Sequence, residues 1–136
     1  MTGIQRLAQL EAEAEQNKTK AEATWRKAWW ETTLALGQIT DRHAISEAQK
    51  LVAEVTGTSL RWIQDRTRTG RKLDPTLKII RTLPPRITME CVRKGVRIDN
   101  AMIDAMLEAE RDGVSLREFS ASLGGRGWSD TPGGAR

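Results

Sequence analysis

Several residue types that build common functional sites are scarce in this chain of 136 residues. It contains one cysteine, one histidine and one phenylalanine, and it has no tyrosine. A single cysteine, Cys91, excludes an internal disulfide and any zinc site built from several thiolates. A single histidine, His43, excludes a histidine-rich metal site and leaves little for histidine-based catalysis. We therefore expect no metal, no other cofactor and no enzymatic activity.

Long apolar runs are also missing. No stretch of 18 apolar residues occurs, so we expect no membrane span. The N-terminus leads into an Ala/Glu-rich segment rather than an apolar one, so we expect no signal peptide. Hydrophobic residues make up 38% of the chain, which is enough for a modest core and too much for a wholly disordered protein. These features predict a cytoplasmic protein.

Charge is distributed unevenly along the chain. Lysine and arginine outnumber aspartate and glutamate by eight in residues 59–97, whereas residues 1–58 and 98–136 are both net acidic. Such a basic block favours a polyanionic partner, and it is also compatible with a solvated basic face that has no partner.

Periodic apolar residues, interrupted by glycine and proline, predict an all-α fold. One long helix is predicted over 4–36, because neither Gly nor Pro occurs there before Gly37, and its first twenty residues are interpreted as an exposed arm or a short coiled-coil seam. Gly70 is predicted to be the C-cap of a helix that begins near residue 60. The predicted helices that follow the first are 44–56, 60–69, 75–83, 88–94, 100–111 and 116–123.

Three of the five tryptophans lie together, at Trp25, Trp29 and Trp30. Such a cluster could stack nucleic-acid bases. Because Trp25 and Trp29 are four residues apart on a helix, and because other aromatic residues are scarce, we favour a role in the core.

The segment 49–64, QKLVAEVTGTSLRWIQ, joins two predicted helices at a glycine. Ala53 is small enough for the second helix to cross closely, and Gly57 suits a turn with positive φ. Ile63 is placed to pack the second helix against the first, and Ser59 is a good N-cap. This pattern resembles the helix-turn-helix of bacterial and phage transcription regulators. It departs from that family at Thr58 and Arg66, where apolar residues are usual.

The resemblance implies that the helix after Ser59 is a recognition helix for duplex DNA, and the basic block begins there. Arginine and glutamine can read guanine and adenine edges in the major groove, and the cations that follow suit phosphates. The residues predicted to contact DNA are Thr58, Ser59, Arg61, Trp62, Gln64, Asp65, Arg66, Arg68, Arg71 and Lys72.

These features predict a sequence-specific DNA-binding protein associated with the nucleoid, such as a phage, plasmid or bacterial transcriptional regulator of repressor type. A homodimer or higher oligomer is expected, because one recognition helix buries little surface. The alternative is a helical interaction or assembly factor, such as a DNA-packaging subunit similar to a phage small terminase.

The predicted organisation has four segments. An N-terminal helical arm (1–36) precedes the helix-turn-helix and basic region (37–97), a helical hairpin (98–123) and a Gly/Pro-rich tail (124–136). Either the arm or the hairpin could mediate self-association. The tail carries Trp128, which could anchor a protein partner or fold back onto the hairpin.

Overall fold

The structure is a computed structural model that describes residues 3–17 and 22–125. These residues are helical throughout apart from their connections, which confirms the all-α class. The described elements are seven α-helices, α1 (Gly3–Gln16), α2 (Glu22–Gln38), α3 (Arg42–Thr56), α4 (Leu60–Lys72), α5 (Pro85–Arg93), α6 (Asn100–Arg111) and α7 (Leu116–Gly125), and a 3-10 helix (Lys78–Thr82) between α4 and α5. The predicted roles of Trp128 fall outside the described residues.

The chain divides into two compact units between Thr82 and Leu83. The first unit contains α1 to α4 and the 3-10 helix, and the second contains α5 to α7. The sequence segment 37–97 therefore contributes to both units.

The region predicted as one helix over 4–36 contains two helices, and α1 packs against both α2 and α3. Ala8 and Ala14 of α1 are buried, so this helix is not an exposed arm. Small side chains on its inner face allow close approach. Packing that face against α2 and α3 removes apolar surface from water that an extended arm would leave exposed.

The interior of the first unit contains aromatic and aliphatic side chains. In the first unit, Trp29 and Trp30 are buried, with ring centroids 4.8 Å apart in an edge-to-face arrangement. The expected core role is thus confirmed for these two tryptophans. The first unit also contains a buried aliphatic cluster, which consists of Ala8, Leu36, Ile45, Ala48, Val52 and Ile63.

Two glycines allow α2 and α4 to approach each other closely. A Cβ atom on Gly70 would lie 2.2 Å from the carbonyl oxygen of Thr33, and one on Gly37 would lie 2.5 Å from the carbonyl carbon of Gly70. Gly70 lies inside α4, which continues to Lys72, so its predicted role as a C-cap is wrong. Its role is close backbone packing.

The second unit contains the predicted hairpin as α6 and α7. Asp99 caps α6 by accepting a hydrogen bond from the backbone N–H of Met102, and Gly113 provides a positive φ of 71° before α7. Met102 and Met106 are buried, as expected for core residues. Cys91 of α5 is also buried, and its thiol lies 3.7 Å from the Met102 sulfur.

Candidate nucleic-acid interface

The connection between α3 and α4 is a tight corner held by backbone and side-chain hydrogen bonds. Gly57 has a φ of 70°, and its N–H donates to the carbonyl of Ala53. The N–H of Thr58 donates to the same carbonyl at 3.1 Å. The hydroxyl of Ser59 accepts from the N–H of Trp62 at 3.1 Å. The predicted left-handed turn and the predicted N-cap are both confirmed.

The inner side of this corner is apolar. Ile63 of α4 and Val52 of α3 are fully buried in one cluster with Ala48. A polar contact joins the same two helices, because Gln49 donates a hydrogen bond to the hydroxyl of Thr67 at 3.0 Å. Together these contacts fix the orientation of α4 against α3.

The outer face of α4 carries polar and cationic side chains. Arg61, Gln64 and Arg68 are exposed, and their spacing of three and four residues places them on one side of the helix. Asp65, which is partly buried, lies on the same side and accepts a hydrogen bond from Arg68 at 3.3 Å. Lys72 is also exposed and extends this row by one turn. We refer to Arg61, Gln64, Asp65, Arg68 and Lys72 as the outer row.

The remaining residues predicted to contact DNA differ in exposure. Thr58 and Ser59 are exposed beside the N-terminus of α4. Arg71 is exposed near the other end, where it donates to the carbonyl of Ile39 at 3.3 Å. Trp62 is partly buried and packs against the aliphatic cluster, so this side chain contributes to the core.

Arg66 is fully buried, so the predicted exposure of this side chain is wrong. Its guanidinium donates two hydrogen bonds of 2.8 Å to the carboxylate of Glu11 in α1. It also donates to the Thr33 hydroxyl and to the Trp29 carbonyl, each at 2.8 Å, and its central carbon lies 4.3 Å from the centroid of the Trp29 ring. Arg66 therefore joins α4 to α1 and α2 and does not lie on the exposed side of α4.

The position of Arg66 on the helix explains this burial. It follows Ile63 by three residues, which places both side chains on the inner face of α4. That position is the one at which the helix-turn-helix pattern usually has an apolar residue. An arginine at this apolar position of the pattern is therefore a sign in the sequence that Arg66 is buried. The sequence does not identify its partner, because Glu11 is 55 residues away.

The described residues offer little for metal binding, for nucleophilic catalysis by cysteine or for a membrane-spanning helix. Across 3–17 and 22–125, no group of three His, Cys, Asp or Glu side chains converges in a way that could hold a metal ion. Burial raises the pKa of the Cys91 thiol to about 12, so this group is not poised as a nucleophile. No helix in the described part of the chain has the length and apolar character needed to span a membrane.

Comparison with known proteins gives no relative: neither a family model, nor a curated protein, nor a solved structure matches this chain.

Proposed function

We propose that the protein binds duplex DNA by placing the outer row of α4 in the major groove, and that it acts as a transcriptional regulator of repressor type. The observation that carries the proposal is the division of α4 into two faces. Its inner face is packed against α2 and α3, while Arg61, Gln64 and Arg68 project outward from a rigid corner. A rigid helix that presents such side chains is suited to reading base edges.

The chemistry of these side chains supports base contacts. Arginine donates two parallel hydrogen bonds to guanine, and glutamine makes a matching pair with adenine. Arg61 and Gln64 are therefore proposed as the residues that specify sequence. Arg68 donates a hydrogen bond to Asp65 at 3.3 Å, and 61% of the Arg68 side chain stays exposed, so it remains accessible to DNA.

Phosphate contacts are proposed at the two ends of α4. The helix N-terminus offers partial positive charge, and the exposed hydroxyls of Thr58 and Ser59 lie beside it. At the other end, Arg71 and Lys72 are exposed cations. These four residues would position the helix without specifying sequence.

The test compares base-contact and phosphate-contact variants by fluorescence anisotropy, with a duplex first selected from a random pool. Replacing Arg61 and Gln64 by alanine is expected to cost about 1–3 kcal/mol per lost base contact on the selected duplex and little on random DNA. Replacing Arg71 and Lys72 by alanine is expected to weaken binding to both duplexes alike. It should also reduce the slope of log affinity against log salt by about 1 for each lost contact.

The matched control removes exposed arginines from the second unit. Arg97→Ala with Arg117→Ala removes two positive charges, as the phosphate variant does, from exposed positions outside α3 and α4. This control should leave affinity for the selected duplex nearly unchanged. Equal losses in the control and the α4 variants would contradict the proposal, as would the absence of binding to any duplex at low salt.

The extent of DNA covered separates regulation from packaging. A repressor with paired recognition helices protects two half-sites about one helical turn apart, with matching symmetry in their sequence. An assembly factor of the small-terminase type would instead cover DNA without such a discrete symmetric footprint. Hydroxyl-radical footprinting on the selected duplex distinguishes these outcomes. Repressor action also implies a cytoplasmic protein bound to the nucleoid.

A further inference from the structure

The first unit has an open cleft of about 930 Å³ to which α4 contributes no lining residue among those described. One wall is the beginning of α2, and the other is the segment 75–82. Four cations and two carboxylates line it: Arg26, Lys27, Lys78, Arg81, Glu22 and Glu31. We call this surface the basic cleft.

Part of the charge in the basic cleft is already engaged. Arg81 donates to the carboxylate of Glu31 at 2.7 Å, and Arg26 donates to the carbonyl of Thr82 at 3.0 Å. Lys27 and Lys78, by contrast, are exposed to solvent. The cleft therefore presents two exposed ammonium groups, whereas its two guanidinium groups are ion-paired or hydrogen-bonded.

Exposed apolar side chains lie on both sides of Lys78 in the chain. Leu77 and Ile79 flank Lys78, and 49% and 42% of their surfaces are exposed. Adjacent exposed aliphatic residues next to accessible charge are typical of an interaction surface. They predict a partner with apolar contacts and opposite charge.

The second unit carries a surface with this complementary character. A shallow pocket of about 300 Å³ between α6 and α7 is lined by Glu108, Asp112 and Glu118 around Phe119. Val114, which lines the pocket, and Leu116 nearby in the chain are 36% and 40% exposed. We call this surface the acidic hairpin.

The charge balance of the acidic hairpin is opposite to that of the basic cleft. Residues 99–125 contain six acidic and two basic side chains. Each surface thus has charges of one dominant sign and exposed aliphatic residues in the same stretch of chain, and the signs of the two surfaces are complementary.

We propose that the basic cleft binds the acidic hairpin of a second copy of this chain. The two surfaces are different patches, so the contact is head-to-tail, and an open assembly of any length keeps one free cleft at one end and one free hairpin at the other. Such a contact builds a ring when its rotation closes and a filament when it does not. The proposal does not depend on DNA binding, because no described residue of α4 lines either surface.

The test uses sedimentation velocity with light scattering on the full chain at micromolar concentration. The cleft variant carries Lys27→Glu and Lys78→Glu, and the hairpin variant carries Glu108→Lys and Asp112→Lys. Each replaces complementary charges by like charges and is expected to weaken self-association by at least about tenfold. Raising the salt concentration should also weaken association of the unmodified chain.

Mixing the two variants gives the most specific result. The intact hairpin of the cleft variant still fits the intact cleft of the hairpin variant. The reversed charges of the cleft variant and of the hairpin variant are complementary as well, so an equimolar mixture should recover the self-association that each variant alone has lost. A contact between identical patches would not give this outcome.

The control moves the same amount of charge elsewhere. Glu47→Lys with Glu54→Lys reverses two exposed carboxylates of α3 and should leave self-association unchanged. Circular dichroism establishes that each variant keeps its helical content. The proposal is overturned if the unmodified chain is monomeric at low salt, if the reversed charges do not weaken association, or if the mixture associates no more strongly than either variant alone.

Discussion

The buried ion pair between Arg66 and Glu11 gives the most demanding prediction about stability. Glu11→Gln keeps the size and shape of the side chain but removes its charge, leaving a fully buried guanidinium without a counter-ion. Breaking a buried pair in this way costs about 3–5 kcal/mol. For a unit of this size, each kcal/mol lowers Tm by about 4 °C or more, so the expected fall is at least about 12 °C.

Urea unfolding, followed by tryptophan fluorescence and circular dichroism, measures the loss in free energy of unfolding, and thermal unfolding measures the fall in Tm. The companion double variant, Glu11→Leu with Arg66→Met, replaces both charges by apolar groups of similar volume. It should unfold within about 1 kcal/mol of the natural chain or be more stable, because neither charge is then left buried alone. A cost below about 1 kcal/mol for Glu11→Gln would refute the burial argument, since that is the range of exposed ion pairs.

Three further predictions concern other parts of the fold. Gly70→Ala should lower the free energy of unfolding by about 1–3 kcal/mol in urea, because its Cβ would meet the Thr33 carbonyl oxygen, and a neutral result would contradict the close packing. Cys91 should react with a thiol reagent near pH 8 only as the chain unfolds, because its pKa is about 12, and rapid labelling of the folded protein would contradict this. The hydrogen bond from Arg93 holds the pKa of Glu90 below its ordinary value of 4.5. The ionised Glu90 carboxylate therefore stabilises the fold above pH 4.5, and this stabilisation is lost as the pH falls through the lowered pKa. Glu90→Gln should therefore flatten the loss of stability in acid measured by circular dichroism, and an unchanged acid profile would count against it.

Local sequence signals predicted the α3–α4 corner well. The helices expected over 44–56 and 60–69 correspond to Arg42–Thr56 and Leu60–Lys72, and Gly57 has the expected positive φ. Turn glycines and capping residues act within a few positions of themselves, so a single sequence contains the necessary information.

Features that depend on distant contacts were not predictable in the same way. Residues 4–36 contain no Gly or Pro, so the sequence has no local signal for the end of α1. The position of α1 depends on its packing against α2 and α3. The role of Gly70 depends on the backbone of Thr33 in another helix. Arginine is usually exposed, so its residue type favours a surface position for Arg66. Its burial depends on distant partners, Glu11 in α1 and Thr33 and Trp29 in α2.

The central claim, that the outer row of α4 meets DNA, is tested most directly by mapping the contact on the folded protein. Amide and side-chain chemical shifts of isotope-labelled protein would be followed while the selected duplex is added. The largest changes are expected at Arg61, Gln64 and Arg68 and along residues 58–72, with the Arg66 side chain unaffected. Changes confined to residues 83–125, or unchanged spectra in the presence of excess duplex, would contradict the proposed interface.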